Sequence, residues 1–194
     1  MRDGFAVIDA DRHLIEPSDL WDRYMEPRFR GRVKILGPGQ SRRLVDGKPV
    51  SDADELRATP QKDYGWSFAG SENYRRVFAD AYESGFNAAS NLRDMDREGV
   101  DVSVLFPTLG LYIIWRDDMD PKLQAEICRA YNTWLGEYCA ENPERLYGVM
   151  LLPLLDTDAA VTELRRAREE YGHVGIFWRP NLMLFHSTGN AVYS

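Results

Sequence analysis

Four side chains that can bind a metal or transfer a proton lie within eight residues near the start of the chain. They follow the apolar run Phe5–Ile8 and belong to Asp9, Asp11, His13 and Glu16. If a strand continues through positions 9, 11 and 13, their side chains point the same way, so Asp11 and His13 converge. An imidazole beside a carboxylate suits Zn²⁺ or Mn²⁺. The spacing therefore predicts two ligands of a divalent metal.

Glu16 lies close enough to contribute to the same site. It can serve as a hydrogen-bond partner of His13 or as a further oxygen ligand. A structural interpretation stands beside this one, because an aspartate at a strand end often forms a turn or a helix cap. The position of the strand end within the fold decides between the two.

Four short apolar runs predict parallel strands, and three of them end at a proline. The runs cover residues 5–9, 102–106, 146–151 and 174–178, and the last three are followed by Pro107, Pro153 and Pro180. Continuous apolar runs are typical of strands that are buried on both faces of a parallel sheet. A proline ends strand pairing, so these strands stop at comparable places.

Amphipathic helices separate these strands. One follows Asp120 and ends before Pro143, and another runs from a cap at Asp156 to Gly172. A shorter helix precedes the second strand, with Ser90 as its predicted cap. Asn132 lies on the face opposite much of the apolar stripe of its helix, and no role is predicted for it.

Alternation of strands and helices predicts an α/β fold of the (β/α)₈ TIM-barrel type, with only about the first four βα units present. The predicted half-barrel covers residues 1–181, and residues 182–194 form an irregular tail. In such barrels the chemistry lies at the carboxyl ends of the strands. An open doubly wound sheet is the competing fold, but "GPGQS" at 37–41 lacks the features of a phosphate-binding loop.

The region from about 17 to 90 is too long for a tight crossover and is predicted to be an inserted cap. Asp46-Gly47 between short apolar runs indicates a hairpin within it. The aromatic residues of the cap either pack it onto the barrel or cover a substrate; they are Trp66, Phe68, Tyr74 and Phe78.

Composition excludes several classes of partner. The formal net charge of −7 argues against nucleic acid and against an anionic membrane surface. No apolar run approaches the roughly 20 residues of a membrane span. Cys128 and Cys139 lie on one predicted helix about 16 Å apart, too far for a disulfide. We expect a cytoplasmic protein with reduced thiols that acts on a small molecule.

The segment "IDADRHLIEPSDLW" (8–21) resembles the opening of the amidohydrolase superfamily, in the branch related to aminocarboxymuconate semialdehyde decarboxylase and the resorcylate-type decarboxylases. The resemblance continues through residues 92–108, 130–154 and 174–181. It implies a TIM barrel with one divalent metal, Zn²⁺ as the first expectation and Mn²⁺ as the second. It also implies cleavage of C–C bonds to carboxylates or hydrolysis of small molecules.

The resemblance places Asp11 and His13 at the metal ligands that follow the first strand. Glu16 matches an adjacent acidic position whose role stays open. Many relatives carry His-x-His or Glu-x-His where this chain has Asp11-Arg12-His13. The histidine expected after the fifth strand and the aspartate expected after the eighth have no counterpart, and His186 is the substitute that the tail offers. His173 precedes its strand and is predicted to be structural.

We therefore expect a metal-dependent decarboxylase or hydrolase that acts on a small carboxylate-bearing substrate. Arg179 follows the fourth strand and could clamp the substrate carboxylate or pair with Asp11. The acid or base of the reaction is not identified. The alternative is a non-catalytic, truncated fragment that lacks the complete metal site. Exposed edges of a half-barrel also predict association of copies into a homo-oligomer.

Overall fold

The fold is built on four parallel strands and the helices between them. The computed structural model describes residues 4–36, 42–50, 76–77, 79–114 and 116–178. In chain order the elements are β1 (Ile8–His13), α1 (Leu20–Tyr24), a 3-10 helix (Pro27–Phe29), β2 (Val33–Leu36), β3 (Arg42–Val45), β4 (Lys48–Pro49), α2 (Ala79–Glu83), α3 (Ala88–Glu98), β5 (Val102–Phe106), α4 (Leu109–Ile113), α5 (Pro121–Cys139), β6 (Leu146–Leu151), α6 (Thr157–Tyr171) and β7 (Gly175–Phe177).

The main sheet has the order β1-β5-β6-β7, and every neighbouring pair is parallel. The predicted half-barrel of the α/β class is confirmed, with helices between consecutive strands of this sheet. Helix α5 packs against α1, α6 and β6, and the large, fully buried side chains Trp21 of α1, Tyr131 of α5 and Leu146 of β6 belong to this core. The core therefore fixes the strand ends from which any site is built.

The first strand lies later in the chain than the apolar run predicts. It spans Ile8–His13 rather than residues 5–9. The polar half of this segment can be a strand because Arg12 pairs with Asp9 and with Glu98 of α3 instead of entering the apolar core. The predicted metal ligands consequently belong to the strand itself.

Helix ends follow local side-chain chemistry. Asp156 accepts a hydrogen bond from the Ala159 amide, and Gly172 ends α6 with a φ of 70°, as predicted. The prediction for α3 is wrong by one turn. Asn87 is the cap, because its Oδ1 accepts from the Ser90 amide, and Ser90 lies inside the helix.

Two further sequence predictions are confirmed. Cys128 and Cys139 are buried, unpaired thiols, and burial raises the pKa of Cys139 to about 12. In the region predicted to be a cap, β3 and β4 form the predicted hairpin with positive φ at Asp46 (50°) and Gly47 (73°), which the twist of a two-residue turn requires. β2 pairs antiparallel with β3 to complete this small sheet.

Several predicted features lie outside the described residues. They are the aromatic residues Trp66, Phe68, Tyr74 and Phe78, together with Arg179, His186 and the tail 182–194. Among the helices that are described, none combines the length and the apolar character needed to cross a membrane.

Candidate metal centre

Asp11 and His13 lie side by side at the carboxyl end of β1. The His13 Nε2 atom is 3.7 Å from Asp11 Oδ1, and the two side chains are 47% and 81% exposed. Two ligands that each lie about 2.1 Å from one ion are separated by roughly 3.0–3.6 Å at angles of 90–120°. The observed separation is close to that range, so this pair can contact one ion from the solvent side.

Asp9 does not join this pair. The pairing of β1 with β5 shifts between Asp9 and Arg12, so that three steps along β1 match two steps along β5. The Asp9 carboxylate accepts a hydrogen bond from the Asp11 amide across this bulge and also contacts Arg12. A bulge reverses the alternation of side chains, which makes the expectation of a common direction for positions 9, 11 and 13 wrong for Asp9.

The His13 ring is oriented by the segment that follows β5. Its Nδ1 atom lies 2.7 Å from the Pro107 carbonyl oxygen, and the Thr108 hydroxyl is 3.5 Å away. A carbonyl oxygen only accepts, so Nδ1 carries the hydrogen, and in the neutral ring Nε2 keeps the lone pair. Metal-binding histidines are commonly held in this way, with the second ring nitrogen donating to a carbonyl.

Glu16 occupies a different environment from Asp11 and His13. It is fully buried, and its carboxylate accepts hydrogen bonds from the backbone amides of Thr108, Leu109 and Gly110, each at 3.0 Å. Burial raises the pKa of Glu16, and these amide donors oppose that rise. The structure therefore places Glu16 under the start of α4.

The donor set of Asp11 and His13 fits a divalent ion as two of its ligands. Among the described residues, no group of three or more histidine, cysteine, aspartate or glutamate side chains is gathered to complete such a site. The side chains of β1 that could hold such an ion are therefore Asp11 and His13.

The family model described as Amidohydrolase matches residues 8–192. The chain belongs to the amidohydrolase family. The resemblance drawn from the motifs is thereby confirmed, and the half-barrel of this amidohydrolase places its β1 pair at the edge of the sheet where barrels carry their chemistry.

Comparisons place this amidohydrolase chain beside longer proteins. The gamma-resorcylate decarboxylase of Rhodococcus jostii is 50% identical over 50 residues, which cover 26% of this chain and 15% of that protein. An amidohydrolase from Mycobacterium avium subsp. paratuberculosis matches 93% of this chain and 51% of its own, with 19% identity and a TM-score of 0.63. The 5-carboxyvanillate decarboxylase of Novosphingobium aromaticivorans, solved with bound manganese, matches 90% of this chain and 42% of its own, with 18% identity and a TM-score of 0.54. The chain thus spans about half the length of the two solved structures, and their similarity to it establishes the fold.

The amino end of β7 carries a second histidine in a structural setting. His173 is 1% exposed, and its Nε2 lies 3.0 Å from the Asn132 carbonyl oxygen. A Cβ at Gly148 would approach His173 Nδ1 to 2.5 Å, so glycine is required where the ring crosses β6. The prediction of a position away from the metal pair agrees with these contacts.

Burial lowers the pKa of His173 below its ordinary value of 6.5. The unfolded chain then binds a proton that the folded chain does not, so stability falls as pH drops from about 6.5 towards the folded-state pKa. We expect the His173→Gln variant to show a shallower loss, the difference reaching at most about 1.4 kcal/mol per pH unit. Urea unfolding of the wild type and of His173→Gln between neutral and mildly acidic pH measures the free energy of unfolding of each. The same loss of stability with falling pH in both proteins would contradict this prediction.

A buried polar side chain that the sequence pattern did not single out holds the helices behind the site together. The buried Asn132 amide joins α5 to the end of β6 and to α6, because its Nδ2 donates to the Leu151 carbonyl (2.8 Å) and to Glu163 (2.7 Å). Its Oδ1 accepts from the Leu151 amide at 2.8 Å. A polar residue within an otherwise buried helix was the signal that could have revealed it.

Proposed function

We propose that this chain provides the β1 ligands of a metal-dependent amidohydrolase-type enzyme that acts on a small carboxylate-bearing substrate. The observation that carries the proposal is the His13 ring, whose Nδ1 donates to the Pro107 carbonyl while Nε2 faces Asp11. Decarboxylation is the reaction that we favour. A resorcylate decarboxylase that is 50% identical to this chain over 50 residues supports it.

A bound divalent ion would polarise the oxygen atoms of the substrate or activate a water molecule. Mn²⁺ is our first choice of ion, supported by the manganese of the carboxyvanillate decarboxylase neighbour, and Zn²⁺ is the alternative expected from the ligand types. Asp11 and His13 would hold and orient this ion. In decarboxylation the bond to the carboxylate breaks and the remaining carbon takes a proton, which a group outside this pair must deliver.

Release of CO₂ from gamma-resorcylate and from 5-carboxyvanillate, in the presence of Mn²⁺ or Zn²⁺, tests the reaction class. Release of CO₂ by the wild type but not by the Asp11→Asn variant would support a metal-dependent decarboxylase. Metal binding without turnover would favour the alternative of a non-catalytic fragment.

Arg179 is proposed to bind the substrate carboxylate, because a guanidinium can form two parallel hydrogen bonds to it. Arg179→Ala is expected to lower kcat/KM by about 10- to 100-fold, the equivalent of about 1.5–3 kcal/mol for hydrogen bonds to a charged group. The matched control is Arg168→Ala, since Arg168 contacts the Gly172 carbonyl before the amino end of β7, away from Asp11 and His13. An unchanged KM and kcat in Arg179→Ala would contradict this role.

We also propose that copies of the chain associate. Within the described part of the chain, β1 and β7 each pair with one strand, and both expose an isoleucine, Ile8 (61%) and Ile176 (43%). Unpaired strand edges with apolar side chains promote association. Sedimentation velocity over a range of concentrations tests this proposal, and a monomer throughout would contradict it.

A further inference from the structure

The position of the His13 ring depends on one peptide group, the one that joins Pro107 to Thr108. The carbonyl oxygen of this group accepts from His13 Nδ1 at 2.7 Å. Its N–H donates to Glu16 Oε1 at 3.0 Å. A trans peptide group is planar, and its C=O and N–H point in opposite directions, so fixing one end orients the other. Glu16 and His13 therefore lie at opposite ends of one rigid group.

The Glu16 carboxylate holds this peptide group from a buried position. Its Oε1 also accepts from the Leu109 and Gly110 amides at 3.0 Å, and its Oε2 lies 3.0 Å from the Leu109 nitrogen. A Cβ at Gly110 would come within 2.7 Å of Leu151 and 3.4 Å of Glu16 Oε1, so the chain at this point fits closely over the carboxylate. The Glu16 carboxylate thus fixes the segment after β5 from its buried side.

Electrostatics favour the same arrangement. A carboxylate that accepts from an N–H group polarises the peptide, which makes its carbonyl oxygen a stronger acceptor. The stronger acceptor favours the imidazole form with hydrogen on Nδ1 and a lone pair on Nε2. Both carboxylate oxygens of Glu16 are engaged by backbone amides and the side chain is fully buried, in contrast to the exposed Asp11.

We propose that Glu16 is a positioning residue for the metal ligand His13, acting through the Pro107–Thr108 peptide group to hold the imidazole with Nε2 directed towards the metal. This proposal rests on the proposed metal-binding function of Asp11 and His13. Of the two roles that the sequence left open for Glu16, it assigns the partner of His13 rather than the oxygen ligand of the metal, and it makes the contact with His13 indirect.

The test combines two variants with a readout that a purely structural role would not move. Glu16→Ala removes the acceptor, whereas Glu16→Gln keeps one oxygen that can accept from the Thr108 amide. In the metal-free proteins, ¹⁵N NMR of the histidine rings at alkaline pH reports which nitrogen of His13 is protonated. We expect the Nδ1–H form in the wild type, a shift towards the Nε2–H form in Glu16→Ala, and a smaller shift in Glu16→Gln.

Mn²⁺ and Zn²⁺ affinity is the second readout. Loss of an outer partner of a metal-binding histidine typically costs 10- to 100-fold in affinity, so we expect about that loss in Glu16→Ala and a smaller loss in Glu16→Gln. The matched control is Glu126→Gln, since Glu126 is a buried glutamate that accepts from the Glu26 amide and contacts Arg129. It should alter neither the His13 tautomer nor the affinity.

The outcomes separate this proposal from the proposed function. An Nε2–H form in the wild type, or a tautomer and an affinity unchanged in both Glu16 variants, would overturn the positioning role even if metal binding is confirmed. A wild type without metal affinity, but with a tautomer that responds to Glu16, would overturn the metal site and leave the positioning role standing. If Glu16→Ala fails to fold, the tautomer of His13 in Glu16→Gln decides.

Discussion

His13→Ala is expected to bind Mn²⁺ and Zn²⁺ at least about tenfold more weakly than the wild type. Removing the imidazole takes away the nitrogen ligand that we propose for the β1 pair, and even the loss of an outer partner of such a ligand costs 10- to 100-fold. Isothermal titration calorimetry of the metal-free proteins with each ion measures the difference. The loss should not be accompanied by unfolding, because the His13 side chain is 47% exposed.

Two aspartates on the same strand provide the control for this prediction. Asp11→Asn should weaken metal binding, since it removes the charge of the second ligand, whereas Asp9→Asn should leave the affinity unchanged. Asp9 lies on the other side of the bulge beside Arg12, and asparagine keeps the oxygen that accepts from the Asp11 amide. Equal losses in the two variants, or full affinity in His13→Ala, would refute the assignment of the pair.

Asn132→Asp is expected to lower the free energy of unfolding by about 3–5 kcal/mol. The substitution keeps the volume of the side chain but places oxygen against the Leu151 carbonyl and Glu163, where the amide now donates two hydrogen bonds. Each buried polar group left without its partner costs about 1–3 kcal/mol, and apposed acceptors add repulsion. Since domains are stable by about 5–15 kcal/mol, this loss should be visible in urea unfolding.

Asn87→Ala is the matched control for the stability experiment. Asn87 is exposed and makes one capping bond to the Ser90 amide at the start of α3, so its loss should cost about 1 kcal/mol. If Asn132→Asp is no less stable than Asn87→Ala, the buried amide does not hold α5, β6 and α6 together in the way the contacts indicate.

Much of the fold was predictable because it depends on neighbours in sequence. The strands at 102–106 and 146–151 are continuous apolar runs, and α6 is delimited by a capping Asp156 and by Gly172. Such signals act within one or two turns of chain and can be recognised without knowing the tertiary structure. The pair Asp11 and His13 was predicted as metal ligands in the same way, from residue types two positions apart, and the structure places the two side chains next to each other.

The remaining features depend on contacts between distant segments. Asn132 looked unremarkable because its partners lie 19 and 31 residues further along the chain. Glu16 is bound by amides 92 to 94 residues away, and backbone donors leave no trace in the residue type. The true end of β1 was missed because pairing with β5, rather than hydrophobicity, extends the strand through polar residues to His13.

The bulge in β1 makes residue number matter more than residue type at its centre. Ala10 is exposed, so other side chains should be accepted there. With one residue more, Arg12 and His13 would move one position along β5 and turn over, which would break the contacts with Glu98 and with Pro107. An insertion in this strand, unlike a substitution, would therefore separate the scaffold of the half-barrel from its chemistry.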